Sequence, residues 1–328
     1  MKVVITGGGG FLGFRLARTL LARGKLTGSD GKEREISGIT LLDQAFPAAI
    51  PQDARLRTVA GDVSDASLLS SVVTPDTASI FHLAAVVSGA AEADFDLGMR
   101  VNLDGTRFLL ELVRKCASPP KLVFTSSVAA FGGELPVVLD DSTITNPQTS
   151  YGTQKVAGEY LITDFSRKGF LDGRSLRLPT IVVRPGKPNA AASSFASGII
   201  REPLNGQSSE CPVAADTGVW LLSPKRVVEA FVHAHETPSA AWGTGRVVNL
   251  PGITASVAEM VDAMGRVAGA AAAKRVVYKA DARIQAIVRT WPARFETPRA
   301  LAMGFKADPD VDTIIRDYIA DEAIRVPA

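Results

Sequence analysis

Short β-branched and aliphatic runs alternate with longer stretches of helical spacing through the first half of the chain. Lys2–Thr6 is the first run, and it stops abruptly at Gly7. Ile39–Asp43, Leu56–Ala60, Ser79–Leu83 and Lys121–Thr125 follow. As a set they are rich in Val, Ile and Leu and apolar on both faces, as parallel strands covered on each side are. Between them, Phe11–Ala22 places Leu12, Leu16, Thr19 and Leu20 on one stripe, and 65–73 and 94–116 read as further helices. This alternation predicts an α/β fold with a doubly wound parallel sheet over residues 1–175.

Two stretches break the rhythm. Lys25–Gly38 is polar, charged and glycine-containing, which predicts a long surface loop. After about Arg174 the pattern turns irregular. A strand candidate at 174–183 runs into a loop with two prolines (184–189), followed by helix candidates at 190–204 and 256–268. Short strand candidates stand at 220–222, 247–250 and 275–278, and the alanine run 268–273 reads as a helix end and loop. Residues 176–328 are therefore expected to form a smaller α/β domain that mainly binds substrate, with some segments returning to the first sheet.

Composition removes several classes of function. With 46% hydrophobic and 21% charged residues in 328, the chain can bury a sizeable core and is not disordered. Lys plus Arg (36) against Asp plus Glu (34) leaves only +2, without a run of like charge. A nucleic-acid or anionic membrane partner would call for a clustered basic excess. No apolar run approaches the ~18 residues of a membrane span, and the first strand is too short for a signal sequence. A cytoplasmic location is expected. Cys116 and Cys211 lack close Cys or His neighbours, so they read as reduced thiols and no metal site is expected. His233 and His235, two apart on a helix, point to different faces. His82 sits in an apolar strand, where a satisfied core imidazole or a hydrogen-bonding support is the expected reading. Trp220 and Trp291 read as core or pocket wall.

The candidate chemistry begins at Thr6-Gly7-Gly8-Gly9-Gly10-Phe11-Leu12-Gly13, between the first strand and the first helix. Gly7 and Gly10 let the backbone turn and approach a pyrophosphate. Gly13 allows the helix to pack closely, and the helix start offers amides and a positive dipole to the phosphates. Asp43, ending the second predicted strand of the sheet, can accept from the adenosine ribose hydroxyls and would repel a 2′-phosphate, selecting NAD over NADP. It lies further from the glycines than the usual ~20 residues, and the Lys25–Gly38 stretch accounts for the excess. Asp62, beside Val63, could face the adenine or close an ordinary strand-end turn.

Tyr151 and Lys155 are four apart on a helix expected after Asn146-Pro147, so they share a face. A free tyrosine has a pKa of ~10. A neighbouring ammonium and a cationic nicotinamide both favour the phenolate, which makes the pair a candidate general base for a substrate hydroxyl. The stretch Phe124–Gly132 adds hydroxyls at a strand end, where catalytic groups of open α/β sheets gather.

TGGGGFLG (6–13), GDV (61–63), HLAA (82–85), VNLDGT (101–106), FTSSVAAFG (124–132) and SYGTQK (150–155) together resemble the extended short-chain dehydrogenase/reductase family. The resemblance implies a Rossmann-type domain binding NAD, with Ser127, Tyr151 and Lys155 as the catalytic trio. It also implies that Leu83, Ala84, Ala85 and Asn102 line the cofactor and that Pro179 and Thr180 lie near the nicotinamide. Phe131 stands where the family usually has a tyrosine. The stretches 176–204, 220–224 and 290–305 look like the branch that acts on D-erythronate, a four-carbon sugar acid. That likeness implies oxidation of a C2 hydroxyl to a 2-oxo acid. A nucleotide-sugar epimerase, a uronate dehydrogenase and a non-catalytic NAD(H)-sensing protein are the alternatives. Ser88, Arg184, Lys187, Asn189 and Ser193 are candidate donors to the substrate carboxylate, with Arg184 preferred. The family resemblance further implies a homodimer formed by the helices around 94–116 and 150–168.

Overall fold

The computed structural model describes residues 1–186 and 191–326. They form two compact units. Met1–Ser127, Thr149–Arg177 and Val228–Val248 make the first; Val128–Gln148, Leu178–Val227 and the chain from Asn249 onward make the second.

The first unit is built on a seven-stranded sheet. In chain order its strands and helices are β1 (Lys2–Thr6), α1 (Phe11–Arg23), a hairpin of β2 (Lys25–Thr27) and β3 (Glu33–Glu35), β4 (Gly38–Asp43), β5 (Leu56–Ala60), α2 (Ala66–Val72) and β6 (Thr77–His82). Next come α3 (Ser88–Ala93), α4 (Phe95–Gly98), α5 (Gly105–Val113), β7 (Lys121–Ser127), α6 (Ser150–Arg167) and β8 (Asp172–Leu178). A last strand, Val247–Asn249, flanks β8, so the sheet runs from that strand through β8, β7, β6, β1 and β4 to β5. β1 pairs in parallel with β4 on one side and β6 on the other, Thr6 standing beside both Leu42 and His82. The strand order reverses there, and in open α/β sheets ligands bind at that reversal, outside the carboxyl ends of the strands.

Alternate residues explain why both faces are covered. Val4, Leu42, Ile80, Leu122 and Phe124 share one core cluster with Leu69 and Val72 of α2, Leu109, Leu110 and Val113 of α5, and Ile162 of α6. Val3, Ile5, Leu41, Phe81 and Val123 occupy the intervening positions and are equally buried. Each such side chain contributes about 1.5–3 kcal/mol by leaving water.

Several expectations are corrected. Lys25–Gly38 is not a long loop: Lys25, Leu26 and Thr27 pair antiparallel with Glu35, Arg34 and Glu33. The Glu-Arg-Glu strand is exposed throughout, so no apolar alternation marked it. The helix expected over 94–116 is α4 and α5 joined by wider π turns at Met99–Asp104, and it ends at Val113. Thr19 is exposed; the buried stripe of α1 is Gly13, Leu16, Ala17, Leu20 and Leu21.

The second unit carries a three-stranded sheet in which Gly218–Leu222 lies between Thr180–Ile181 (parallel) and Ile253–Ser256 (antiparallel). Ser209–Cys211 and Val276–Tyr278 form a separate parallel pair. Helices Ser194–Leu204, Val257–Ala268 and Val311–Asp321 contribute Ile199, Met260, Met264, Ile314 and Ile315 to its core. Phe131 is buried here, edge-on to Phe295, whose ring lies tilted against Trp220. That is an apolar role.

Candidate active site

The glycine turn is fixed by backbone crowding at the sheet reversal. Gly7 has φ +71°, and a Cβ there would come within 2.8 Å of the Ala84 amide nitrogen. A Cβ on Gly13 would stand 2.1 Å from the Gly7 carbonyl, so only glycine lets α1 start so close to β1. At Gly10, by contrast, the closest atom a Cβ would meet is the Gly7 carbonyl oxygen at 3.3 Å. The space there opens at the head of a helix. The first intrahelical bond of α1 runs from the Phe14 amide to the Gly10 carbonyl at 2.9 Å, so the amides of Phe11, Leu12 and Gly13 precede it. Those amides and the helix dipole suit a pyrophosphate. Asp43 reaches the same turn: Oδ2 accepts from the Gly9 and Gly10 amides at 3.0 and 3.2 Å, and Oδ1 from Gln44 at 2.7 Å. The residues therefore fit a dinucleotide, with a carboxylate at the edge of its cradle. Asp62 closes a turn, its Oδ1 accepting from the Ser64 amide and hydroxyl at 2.8 and 2.7 Å, while Val63 is buried.

His82 is a support. The Thr106 hydroxyl donates to the Asn102 carbonyl at 2.7 Å, which leaves its oxygen to accept from His82 Nε2–H at 2.9 Å. His82 Nδ1 then accepts from the Thr6 hydroxyl at 2.6 Å, and Thr6 in turn accepts from the Ala84 amide at 3.3 Å. Burial holds this imidazole neutral, with a pKa near 3. The chain of donors ties the end of β1 to the Leu83–Ala85 segment and to Asn102. The Asn102 side chain accepts from the Val86 amide at 2.8 Å and donates to the Val86 carbonyl (3.1 Å) and to Gln154 (2.7 Å). Asn102 thus braces the loop after β6 against α6.

α6 is launched by two caps. Thr149 Oγ1 accepts from the Gly152 amide at 3.1 Å, and Glu92 of α3 accepts from the Ser150 amide at 2.9 Å. Tyr151 is half-buried and Lys155 only 2% exposed. The Lys155 ammonium lies 4.7 Å from the centre of the Phe124 ring and 5.6 Å from that of Tyr151. Burial drives its pKa down to about 7, against the opposing charge of Glu159.

At the end of β7 the two serines diverge. Ser126 is buried and donates to Glu159 at 2.5 Å, so its hydroxyl is committed to the core side of α6. Ser127, half-buried, is the next residue along the strand. Ser127, Tyr151, Lys155, Asp43 and the glycine turn all belong to the first unit, as does half-buried Ser88 at the start of α3.

In the second unit, Pro179 and Thr180 are buried, with Thr180 paired beside Leu221. Arg184 and Ser193 are brought together there. The guanidinium donates to the Ser193 hydroxyl at 2.9 Å and to the Ile181 carbonyl at 3.1 Å. Lys187 and Asn189 lie outside the described residues. The sequence reasoning missed Glu159 and its partner Arg177. A spacing of four from Lys155 could have flagged Glu159. Among the described residues no cluster of His, Cys, Asp and Glu could hold a metal ion, and no helix is long and apolar enough to cross a membrane.

A model of the NAD dependent epimerase/dehydratase family matches residues 3–250. The D-erythronate dehydrogenase of Cupriavidus necator is 56% identical over 324 residues, spanning 99% of each chain. That of Haemophilus influenzae is 45% identical over 319 residues, covering 97% of this chain and 99% of its own. Among solved structures, a nucleoside-diphosphate-sugar epimerase from Agrobacterium tumefaciens matches with a TM-score of 0.90 at 40% identity, covering 98% of this chain and 94% of that one.

Proposed function

Because the chain belongs to the NAD dependent epimerase/dehydratase family and is an NAD-dependent dehydrogenase acting on a CH–OH group, we propose that it oxidises the C2 hydroxyl of D-erythronate, or of a closely similar sugar acid, to the 2-oxo acid. The observation that carries this reading is the 56% identity with a D-erythronate dehydrogenase along nearly the whole of both chains.

NAD+, when bound, supplies the acceptor for the hydride that leaves C2. The amides of Phe11, Leu12 and Gly13, with Gly7 and Gly10, would hold its pyrophosphate, and Asp43 the adenosine ribose. Val63 and Asp62 would border the adenine side, and Leu83, Ala84, Ala85 and Asn102, with Pro179 and Thr180, the remainder. The chain's own chemical task is the proton. Tyr151 takes it from the substrate hydroxyl, and Ser127 donates a hydrogen bond to the reacting oxygen. Bringing a phenol from ~10 to near 7 needs about 4 kcal/mol of preferential stabilisation of the phenolate. Lys155 contributes to it as a neighbouring cation. The two groups titrate as a pair, since the charge of the phenolate favours the ammonium as much as the reverse. Lys155 would also donate to the nicotinamide ribose. For the acid group the reading assigns Arg184 with Ser193, joined by Ser88 and Asn189, because a buried carboxylate requires a cation or several donors.

The test is NADH formation with D-erythronate and NAD+. One NADH per acid consumed is expected. The Agrobacterium likeness favours a second reading, a sugar-nucleotide epimerase. Inversion of a nucleotide sugar without net NADH, with D-erythronate inert, would replace the first reading by the second. Two free cysteines suit a reducing cytoplasm. Exposed Phe95 on α4 and Tyr160 on α6 (59% and 69%) suit a homodimer formed through those helices, which sedimentation would show as twice the chain mass.

A further inference from the structure

The groups that act on Lys155 come from its own helix and from the strands beside it. Its own helix brings Tyr151 one turn before and Glu159 one turn after. Phe124 of β7 lies against its ammonium and the neutral His82 of β6 feels its charge, while Arg177 of β8 and Ser126 of β7 reach Glu159 rather than the lysine. Among these groups Glu159 alone is a carboxylate. It is 3% exposed and held by three donors: Arg177 donates Nε to Oε1 at 2.8 Å and a terminal nitrogen to Oε2 at 2.7 Å, while the Ser126 hydroxyl donates to Oε1 at 2.5 Å.

We propose that Glu159 is a positioning residue for proton transfer: its carboxylate, clamped by Arg177 and Ser126, is the fixed counter-charge that keeps Lys155 an ammonium beside Tyr151. This rests on the reading of Tyr151 and Lys155 as the proton-transfer pair. Residues four apart on a helix have Cβ atoms about 5–6 Å apart, near enough for an ion pair. An unrestrained carboxylate at 159 would draw the Lys155 ammonium into a direct salt bridge and away from the tyrosine. The arginine fork and the Ser126 hydroxyl hold the carboxylate toward β8 and β7, and the planar guanidinium fixes the direction of its oxygens. Lys155 thus feels the negative charge through a low-dielectric interior without being captured by it. Burial alone pushes its pKa toward neutrality, and Glu159 opposes that fall. Without the carboxylate, Arg177 would become an uncompensated cation in the same interior and push the lysine further down.

The test is a pH titration of the Lys155 side-chain NMR signal in isotope-labelled, full-length, ligand-free protein. Glu159→Gln is expected to lower the midpoint by about one pH unit or more, a tenfold or larger change in the acid constant. Ser126→Ala, which keeps the charge, leaves it near the wild-type value. A folded Glu159→Gln with an unmoved midpoint overturns the proposal. Should that variant not fold, the wild-type protein decides: the Glu159 carboxyl resonance must shift as Lys155 titrates, and a flat resonance overturns the proposal. The readout needs neither NAD+ nor substrate, so an inert D-erythronate assay would leave it standing, and its failure would leave the substrate reading standing.

Discussion

Two lysines of the first unit are buried to nearly the same degree, and they differ in what meets the ammonium. Lys121, at the start of β7 and 3% exposed, donates to the His235 carbonyl at 2.8 Å. Every group around it is engaged. His235, its pKa lowered by burial to about 4, meets Ser79 at 2.8 Å and Glu236 at 3.1 Å, and Glu236 also accepts from Thr27 and Arg23. Arg174 closes on Asp172 and the Thr237 carbonyl. Lys155, on α6, lies with its ammonium against the rings of Phe124 and Tyr151. Burial lowers the pKa of both lysines. One receives a carbonyl in compensation and acts as a strut. The other meets aromatic faces, and on the proposed reading its ammonium serves a phenolate and a ribose.

The contrast is broken most severely at the phenol. Tyr151→Phe is expected to lower kcat by about 10²–10⁴-fold, the usual worth of a positioned general base, with NAD+ affinity by fluorescence titration unchanged. Retained turnover would remove Tyr151 from the role of general base. Next, Lys155→Met should cost about 10²-fold in kcat. Lys121→Met should leave kcat within about twofold while destabilising the fold by about 1–3 kcal/mol, because the His235 carbonyl loses its donor. Similar kinetic losses in the two variants would erase the distinction drawn above. At the strand end, Ser127→Ala should lower kcat at least tenfold, about 1.4 kcal/mol in barrier. Ser126→Ala should act chiefly on the melting temperature, and scanning calorimetry beside the kinetics separates the two.

A further effect, on stability rather than turnover, appears against pH. Folded Lys155 releases its proton near 7, whereas an unfolded lysine does so near ~10.4. Across that window the unfolded chain binds more protons, so stability rises with pH by up to about 1.4 kcal/mol per unit, and the Lys155 contribution is level below it. Urea unfolding of the ligand-free protein should show the slope, and Lys155→Met should remove its share.

How much could be read before any coordinates depends on whether a signal is local. The glycine turn, the spacing of Tyr151 and Lys155 and most strands of the first sheet are local patterns, and the chain states them within a dozen residues. Asp43 was legible as a strand-end carboxylate, but its grip on the Gly9 and Gly10 amides joins residues more than thirty positions apart and needs the register of β1 against β4. The Glu159–Arg177 clamp needs β8 laid beside β7 in the sheet. The hairpin at 25–35 escaped because both faces of β3 are wet, so no alternation could announce it. Val228–Val248 returns to the first unit, its last residues in a strand that extends the sheet beside β8.

Asp43 sets a constraint on anyone wishing to switch this enzyme to the phosphorylated coenzyme. On the proposed reading of Asp43 as the ribose partner, the obvious edit, a neutral or basic residue there, would remove the repulsion of the extra phosphate; it would in the same stroke strip two amides of their acceptor. Coenzyme preference and loop order would then be written in one side chain. A successful redesign must rebuild the turn as well as reverse a charge.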